Sequence, residues 1–112
     1  MKRYKIDRNT KMIVKGLMSK ERERKRRRRR HQLTEFDRLV DEATKKADSM
    51  ASTEGFCREA RDVVISGIHK SLGEGVPWEK LDDVYVGRRF FYELRTEYMY
   101  NVAVELGLIR ED

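Results

Sequence analysis

The clearest regularity along the chain is an apolar residue every three or four positions between residues 33 and 50. The steps are 3, 4, 3, 4 and 3 in the series Leu33, Phe36, Val40, Ala43, Ala47 and Met50. This spacing keeps the apolar side chains on one face of a helix, and Leu39 widens that face. The stripe is too short for an independent coiled coil, so it predicts either one face of a helical bundle or a contact between two copies of the chain.

Two further helices are predicted in the second half of the chain. For the first, Ser52 or Thr53 is a suitable N-cap and Gly73 is the expected end. Its inner face would carry Phe56, Ala60, Val63, Val64, Gly67, Ile68 and Leu72. The final helix is predicted from Arg88 to Leu106, with Gly107 as its C-terminal cap. Its inward positions would be Phe91, Leu94, Tyr98, Val102 and Leu106.

Weaker signals complete the pattern. A helix capped by Asn9 or Thr10 is predicted near the N-terminus, with apolar positions at Ile13, Val14, Leu17 and Met18. Pro77 suits the first turn of a short helix, PWEKLDDV, and a turn closing at Gly87 follows it. No two segments read as paired strands, so the predicted fold class is all-α, a small helical bundle.

Charge divides the chain more sharply than hydropathy does. The first 32 residues hold 15 Lys/Arg and 3 acids, whereas the rest of the chain holds 11 Lys/Arg and 17 acids, within a net charge of +6. Such an asymmetry is typical of a basic segment that binds a polyanion. We therefore predict a basic N-terminal helical arm at residues 1–32 and a helical domain at residues 33–112. Repulsion within the basic run predicts that the arm frays when no ligand is bound.

The candidate phosphate contacts are the seven basic residues at the end of this arm. They are Arg24, Lys25, Arg26, Arg27, Arg28, Arg29 and Arg30. Guanidinium groups bind phosphates through paired hydrogen bonds, and each phosphate neutralised releases counterions, so the run predicts affinity with little sequence discrimination. A solvated charge run without a ligand, a nuclear-import signal and an arginine-rich RNA-binding helix would share this composition.

The C-terminal segment at about residues 77–107 has the layout of a helix-turn-helix, in which the second helix reads the DNA. With Phe91 and Leu94 packed inward, four side chains are predicted on the outer, N-terminal part of that helix. These candidate DNA contacts are Arg88, Arg89, Tyr92 and Arg95. A plain helical hairpin with surface arginines is the alternative.

Other kinds of chemistry have little support in the sequence. His31 and His69 have no ligand-spaced partner, so no metal is predicted, and no glycine pattern indicates a nucleotide site or another cofactor. Asp82 and Asp83 are adjacent and diverge on a helix, so we predict no enzyme. The single cysteine, Cys57, allows no intrachain disulfide and is expected to be a small buried hydrophobe. The chain shows neither an export signal nor a membrane-spanning run, so we expect a cytoplasmic protein.

The segment VYVGRRFFYELRTEYMYNVAVELGLI resembles the C-terminal end of phage transcriptional regulators of the ArpU/RinA type. The matching positions are Phe91, Tyr92, Arg95, Ala103, Leu106 and Gly107. The resemblance covers roughly Asp62 to Ile109 and implies a sigma-factor-like helix-turn-helix in a cytoplasmic regulator of prophage genes. Two positions depart from the family pattern: Gly87 stands where a Ser or Thr is usual, and Glu93 stands where a basic residue is expected.

Three functional hypotheses follow. The first is a sequence-specific DNA-binding regulator, with double-stranded DNA, RNA polymerase and a second copy of the chain as candidate partners. The second is a small phage-type protein that binds and redirects a host nucleic-acid enzyme, and the third is an arginine-rich RNA binder. Arginines 88, 89 and 95 exposed together would favour DNA, whereas ion pairs with Glu79, Asp82 or Asp83 would favour the second hypothesis.

Overall fold

A computed structural model describes residues 4–110, so the first three residues of the predicted arm lie outside the described part of the chain. All regular structure in this part is helical, which confirms the all-α fold class. The elements are α1 (Arg8–Ser19), α2 (Glu21–Arg29), α3 (Glu35–Met50), α4 (Arg58–Glu74), a short 3₁₀ helix (Trp78–Lys80) and α5 (Arg88–Glu105). No described helix has both the length and the apolar character needed to cross a bilayer.

The core lies around α5, which packs against α1, α3 and α4. Phe91, Leu94, Tyr98 and Val102 are all buried on its inner face, as the spacing predicts. α5 ends where predicted, because Gly107 adopts a positive φ of 75° and Leu108 N–H donates to the Ala103 carbonyl over 2.8 Å. This left-handed turn satisfies carbonyl groups at the helix end, and glycine enters it without steric cost.

The N-terminal segment is part of the same core. Val14 and Met18 of α1 are buried against α4 and α5 residues. Gly73 makes this approach possible, because a Cβ there would lie 3.0 Å from the Met18 carbonyl oxygen. The predicted division at residue 32 therefore does not mark a boundary in the packing. The N-cap of α1 is Asp7 rather than Asn9 or Thr10, because the Asp7 carboxylate accepts from Thr10 N–H over 2.7 Å.

Two polar side chains, the buried Glu97 of α5 and the half-buried His69 of α4, link these helices to neighbouring segments. Glu97 of α5 accepts from the backbone N–H of Ser52 over 2.8 Å and from the Tyr4 hydroxyl over 3.1 Å. His69 of α4 lies with Nε2 2.7 Å from Asp48 Oδ1 on α3 and 3.1 Å from the Tyr98 hydroxyl on α5. His69 is thus a half-buried junction between three helices rather than an ordinary surface residue.

The predicted apolar stripe of α3 is only partly covered. Val40, Ala43 and Ala47 are buried, which confirms the middle of the stripe. Phe36 and Leu39 are 57% and 51% exposed, so the bundle of one chain does not cover them, and a contact between two copies stays a prediction for these positions. Asp37 on the same helix is buried instead, and Arg27 of α2 donates to its carboxylate.

Several expected helix boundaries differ in the structure. α4 begins after Cys57, which is exposed and acts as the N-cap, so the expectation of a buried cysteine is wrong. α4 runs through Gly73 and ends at Gly75, whose φ of 69° suits the left-handed C-cap. PWEKLDDV forms only the short 3₁₀ helix, because the chain turns into an extended conformation at Leu81.

Candidate nucleic-acid interface

The basic run folds as helix α2 with two distinct faces. Its first turn carries Glu21 and Glu23, and its last turn carries four arginines. This order complements the helix dipole, since acids stabilise the N-terminal end and bases the C-terminal end. The structure shows this segment as a helix, and the expectation that the free arm frays stays a prediction.

The inner face of α2 is bound to two aspartates of α3. Its arginines, here called the inner arginines, are Arg24, Arg27 and Arg28. Arg27 donates from Nε and Nη2 to both carboxylate oxygens of Asp37, over 2.7 and 2.6 Å. Arg28 also pairs with Asp41. Paired hydrogen bonds of this kind fix the orientation of a guanidinium group as well as its charge.

Arg24 is the most deeply buried of the inner arginines, at 3% exposure. Its Nε donates to Asp41 over 3.1 Å and its Nη1 donates to the Leu17 carbonyl over 2.6 Å. Because Arg24 is buried and its hydrogen bonds go to Asp41 and to the backbone of α1, its side chain points away from the solvent. The sequence places it among seven equivalent cations, whereas the structure makes it an internal anchor.

Asp37 has a second role at the start of α3. It is the N3 residue of a capping box, in which Thr34 N–H donates to Asp37 Oδ2 over 3.1 Å and Asp37 N–H donates to Thr34 Oγ1 over 3.0 Å. The hydrogen bonds from Arg27, and then those from Thr34, hold the pKa of Asp37 well below its usual range. One carboxylate thus caps α3 and anchors α2.

The outer face of α2 keeps its charge available. Its cations, here called the outer arginines, are Arg22, Arg26, Arg29 and Arg30. The first three lie at i, i+4 and i+7, so they share one helix face about 10 Å long. Arg22 is 88% exposed and lies 3.4 Å from Glu74, while the other three form no ion pair with the described residues. Lys25, beside this face, pairs with Glu21 over 3.5 Å.

The beginning of α5 differs from the predicted DNA-reading surface. Arg88 and Arg89 are exposed, but Arg88 Nε lies 2.8 Å from Glu79 and Arg89 Nε lies 3.5 Å from Glu93. Pairs this exposed contribute about 0 to 1 kcal/mol each, so they leave both guanidinium groups able to exchange partners.

Tyr92 and Arg95 are turned into the protein. The Tyr92 hydroxyl accepts from Trp78 N–H over 3.2 Å. Arg95 lies 4.7 Å from the centre of the Tyr92 ring and donates to the Ser71 hydroxyl over 3.0 Å. Burial lowers the pKa of Arg95. The prediction that Tyr92 and Arg95 lie on the outer face of the helix is therefore wrong, because Tyr92 packs against the core and α4 covers Arg95.

The two candidate regions flank the same end of α4. Arg22 at the start of α2 contacts Glu74, and Arg95 in the first half of α5 contacts Ser71, one helical turn away.

Sequence reasoning did not identify the residues that orient the basic helix. Asp37 and Asp41 are spaced i, i+4, and Thr34 to Asp37 has the spacing of a capping box. These signals predict a helix start and a paired acidic face, but they do not indicate which cations the acids bind.

Comparison with protein-family models, with curated proteins and with solved structures finds no match to this chain.

Proposed function

We propose that this protein is a sequence-specific DNA-binding regulator of phage or prophage transcription. In this proposal α2 binds phosphates and the start of α5 contacts base edges. The observation that carries the proposal is the sorting of charge on α2. Asp37 and Asp41 neutralise one face, so the outer arginines project from a helix whose position is already set. Pre-ordered cations lose less conformational entropy when phosphate binds than a frayed arm would.

The assignment of roles follows from the two kinds of contact. Phosphate contacts position a protein on DNA without reading sequence, whereas contacts with base edges discriminate between sequences. The outer arginines are suited to the first role, because they form a ridge of like charge. Arg88 and Arg89, exposed at the start of a helix 18 residues long, are suited to the second.

The resemblance of Asp62 to Ile109 to ArpU/RinA-type regulators supports prophage genes as the targets. A regulator of this kind works in the cytoplasm of the bacterial host, where RNA polymerase is a candidate partner. Phe36 and Leu39, which the fold leaves exposed on α3, are the candidate contact for a second copy of the chain.

Selection of bound duplexes from a random pool tests this proposal. We expect a preferred site, and we expect Arg88→Ala and Arg89→Ala each to lower the preference for it over random DNA by about tenfold or more, equivalent to about 1 to 3 kcal/mol. Both variants should bind random DNA nearly as well as the parent protein. Recovery of no preferred site would contradict sequence-specific reading.

The second candidate is a protein that binds and redirects a host nucleic-acid enzyme. Two observations favour it: the ion pair between Arg88 and Glu79 gives the start of α5 a mixed charge, and Arg95 is turned inward, so arginines 88, 89 and 95 are not exposed together. This candidate predicts that Arg88→Ala weakens binding to purified RNA polymerase while the selected pool shows no enrichment. An RNA preference in a parallel selection would favour the arginine-rich RNA binder instead.

A further inference from the structure

One side of α3 carries large apolar side chains that the fold of a single chain leaves in solvent. Phe36, Leu39 and Met50 are 57%, 51% and 49% exposed. Because successive helical residues are turned by roughly 100°, these three side chains lie within about 60° of one another around the helix axis. They form one surface, here called the exposed strip. Exposed apolar side chains grouped in this way indicate a contact with another molecule.

Charged side chains border the exposed strip, and they are distributed unevenly along the helix. Glu35 and Glu42 lie in the first half of α3, and neither forms an ion pair with the described residues. Lys46 lies in the second half, and its Nζ is 2.9 Å from Glu105. These two side chains are 57% and 29% exposed, and a pair with this much exposure is weak. The Lys46 ammonium group is therefore able to bind a further carboxylate.

The order of these residues fits a second copy of α3 that runs in the opposite direction. An alignment of Leu39 with Met50 of the second copy brings apolar side chains of the two strips together. The same alignment places Glu42 within one helical position of Lys46 of the second copy, at both ends of the contact. In a parallel pair, each of these charged residues would instead lie beside its own equivalent, and like charges repel. Apolar packing and charge complementarity therefore select the same antiparallel register.

The candidate DNA-binding residues lie away from the exposed strip. Asp37 and Asp41, which bind the inner arginines of α2, are turned about 160° around α3 from Leu39. The end of α5 that borders the strip is Glu105, and Arg88 lies about 26 Å away along that helix. A contact between two copies of α3 therefore leaves the outer arginines and the start of α5 free in both copies.

We infer that two copies of this chain associate through an antiparallel contact between their α3 helices. Leu39 of each copy packs against Met50 of the other, and Glu42 of each copy binds Lys46 of the other. The contact uses one helix face, so the dimer is weak, and the chain is monomeric at the low concentrations of unfolding measurements. A two-fold dimer presents two copies of α5, so its DNA site consists of two inverted half-sites. The half-sites rest on the proposed function, whereas the dimer itself requires no DNA.

Sedimentation of the full chain without DNA, over a range of protein concentrations, tests this contact. We expect a monomer–dimer equilibrium, and we expect Leu39→Ser to raise the dissociation constant about tenfold or more. Lys46→Glu and Glu42→Lys should each have a similar effect, because each places like charges opposite one another. An equal mixture of these two charge variants should restore the dimer, since opposite charges then meet at both ends of the contact. Lys45→Glu is the matched control, because Lys45 is turned about 100° away from Lys46, and it should keep the parental dissociation constant.

Other results would overturn the inference. A parent protein that stays monomeric up to millimolar concentration would exclude the contact, and a dimer that Leu39→Ser leaves intact would use another surface. Single charge variants that dimerise like the parent would contradict the antiparallel register. Restoration in the mixture shows in addition that both charge variants are folded.

The same experiment separates this inference from the proposed function. A dimer that breaks as expected sustains the inference even if selection recovers no preferred DNA site. A monomeric protein that still selects a single, unrepeated site overturns the inference and leaves the proposed function standing.

Discussion

Arg27 and Asp37 form a paired contact in which two guanidinium nitrogens, Nε and Nη2, donate to the two carboxylate oxygens over 2.7 and 2.6 Å. Because Asp37 is also part of the α3 capping box, the contact fixes α2 to the first turn of α3. The same contact commits the guanidinium group of Arg27 to a hydrogen-bond partner inside the protein. The fold thus uses some of its arginines as anchors and presents others to solvent.

The Asp37 carboxylate makes the free energy of unfolding decrease as the pH falls into the acid range. Its pKa is lower in the folded protein than the ordinary value of 3.8, because Arg27 donates to the charged form. The folded state therefore binds fewer protons than the unfolded state near and below pH 4, and the stabilisation present at neutral pH is lost as the pH falls through that range. We expect Asp37→Asn to be less stable at pH 7 and to lose less stability between pH 7 and pH 3.

Urea unfolding at several pH values measures this effect. Glu42→Gln is the matched control, since Glu42 is an exposed acid on the same helix with no partner among the described residues. It should follow the parent protein across the range. An Asp37→Asn curve parallel to that of the parent would show that this carboxylate is not stabilised by Arg27.

The ion pair between Arg24 and Asp41 leads to a second prediction, which concerns the free energy of unfolding. Arg24→Met leaves Asp41 with Arg28 as a remaining cation, so its cost is that of the lost charged hydrogen bonds, about 1.5 to 3 kcal/mol. Arg24→Met should therefore destabilise the fold by about that amount, whereas Arg26→Met on the exposed face should change stability by less than about 0.5 kcal/mol. Arg24→Met combined with Asp41→Leu should recover part of the loss. Equal unfolding free energies for the two single variants would contradict the internal role of Arg24.

Because His69 contacts Asp48, we predict that the free energy of unfolding also changes with pH near neutrality. Burial opposes its charged form, but the hydrogen bond and the charge of Asp48 outweigh burial and raise the pKa of His69 above 6.5. The stabilisation is fully present below pH 6.5 and is lost as the pH rises through the higher folded-state pKa. Thermal unfolding between pH 5.5 and 8.5 should show this decline, and His69→Gln should remove it. A parent protein that becomes more stable over this range would contradict the assignment.

The two aromatic positions Phe91 and Phe36 should respond very differently to truncation. Phe91 is fully buried, so Phe91→Ala should cost about 3 to 5 kcal/mol through lost burial and the cavity left behind. Phe36 is 57% exposed, so Phe36→Ala should cost far less. Chemical denaturation of both variants measures the difference. Comparable losses would mean that the α3 stripe is covered, for example by a second copy of the chain.

The sequence predicted the helical class and the inner face of α5 correctly, because apolar positions at helical spacing depend on the sequence alone. It did not predict which part of the α3 stripe is covered. Periodicity defines an apolar face, but tertiary packing decides that Val40 is buried and Phe36 is not. The predicted end of α4 at Gly73 is wrong. The absence of a side chain at Gly73 allows the backbone of Met18 to pack closely against α4, and the helix continues past it.

The sequence predicts which residues make up the candidate site but not the directions in which their side chains point. Seven consecutive basic positions from Arg24 to Arg30 are evident in the sequence. Their division into inner and outer arginines depends on Asp37 and Asp41, which tertiary packing brings to them. Arg95 was placed on the outside by helical spacing relative to Phe91 and Leu94. Contact with α4 through Ser71 turns the Arg95 side chain inward, and that contact has no signal in the local sequence.

The salt dependence of binding to generic duplex DNA tests the central claim most directly. Each phosphate contact contributes about 0.9 to the slope of log Kobs against log salt concentration, so Arg26→Ala, Arg29→Ala and Arg30→Ala together should reduce the slope by about 2.7. The matched control replaces three exposed cations elsewhere, Arg8, Lys45 and Arg58, which removes the same total charge. We predict a flattened slope for the first triple variant and a parental slope for the second. Equal slopes for the two triple variants would contradict the assignment of the outer arginines as the phosphate-binding surface.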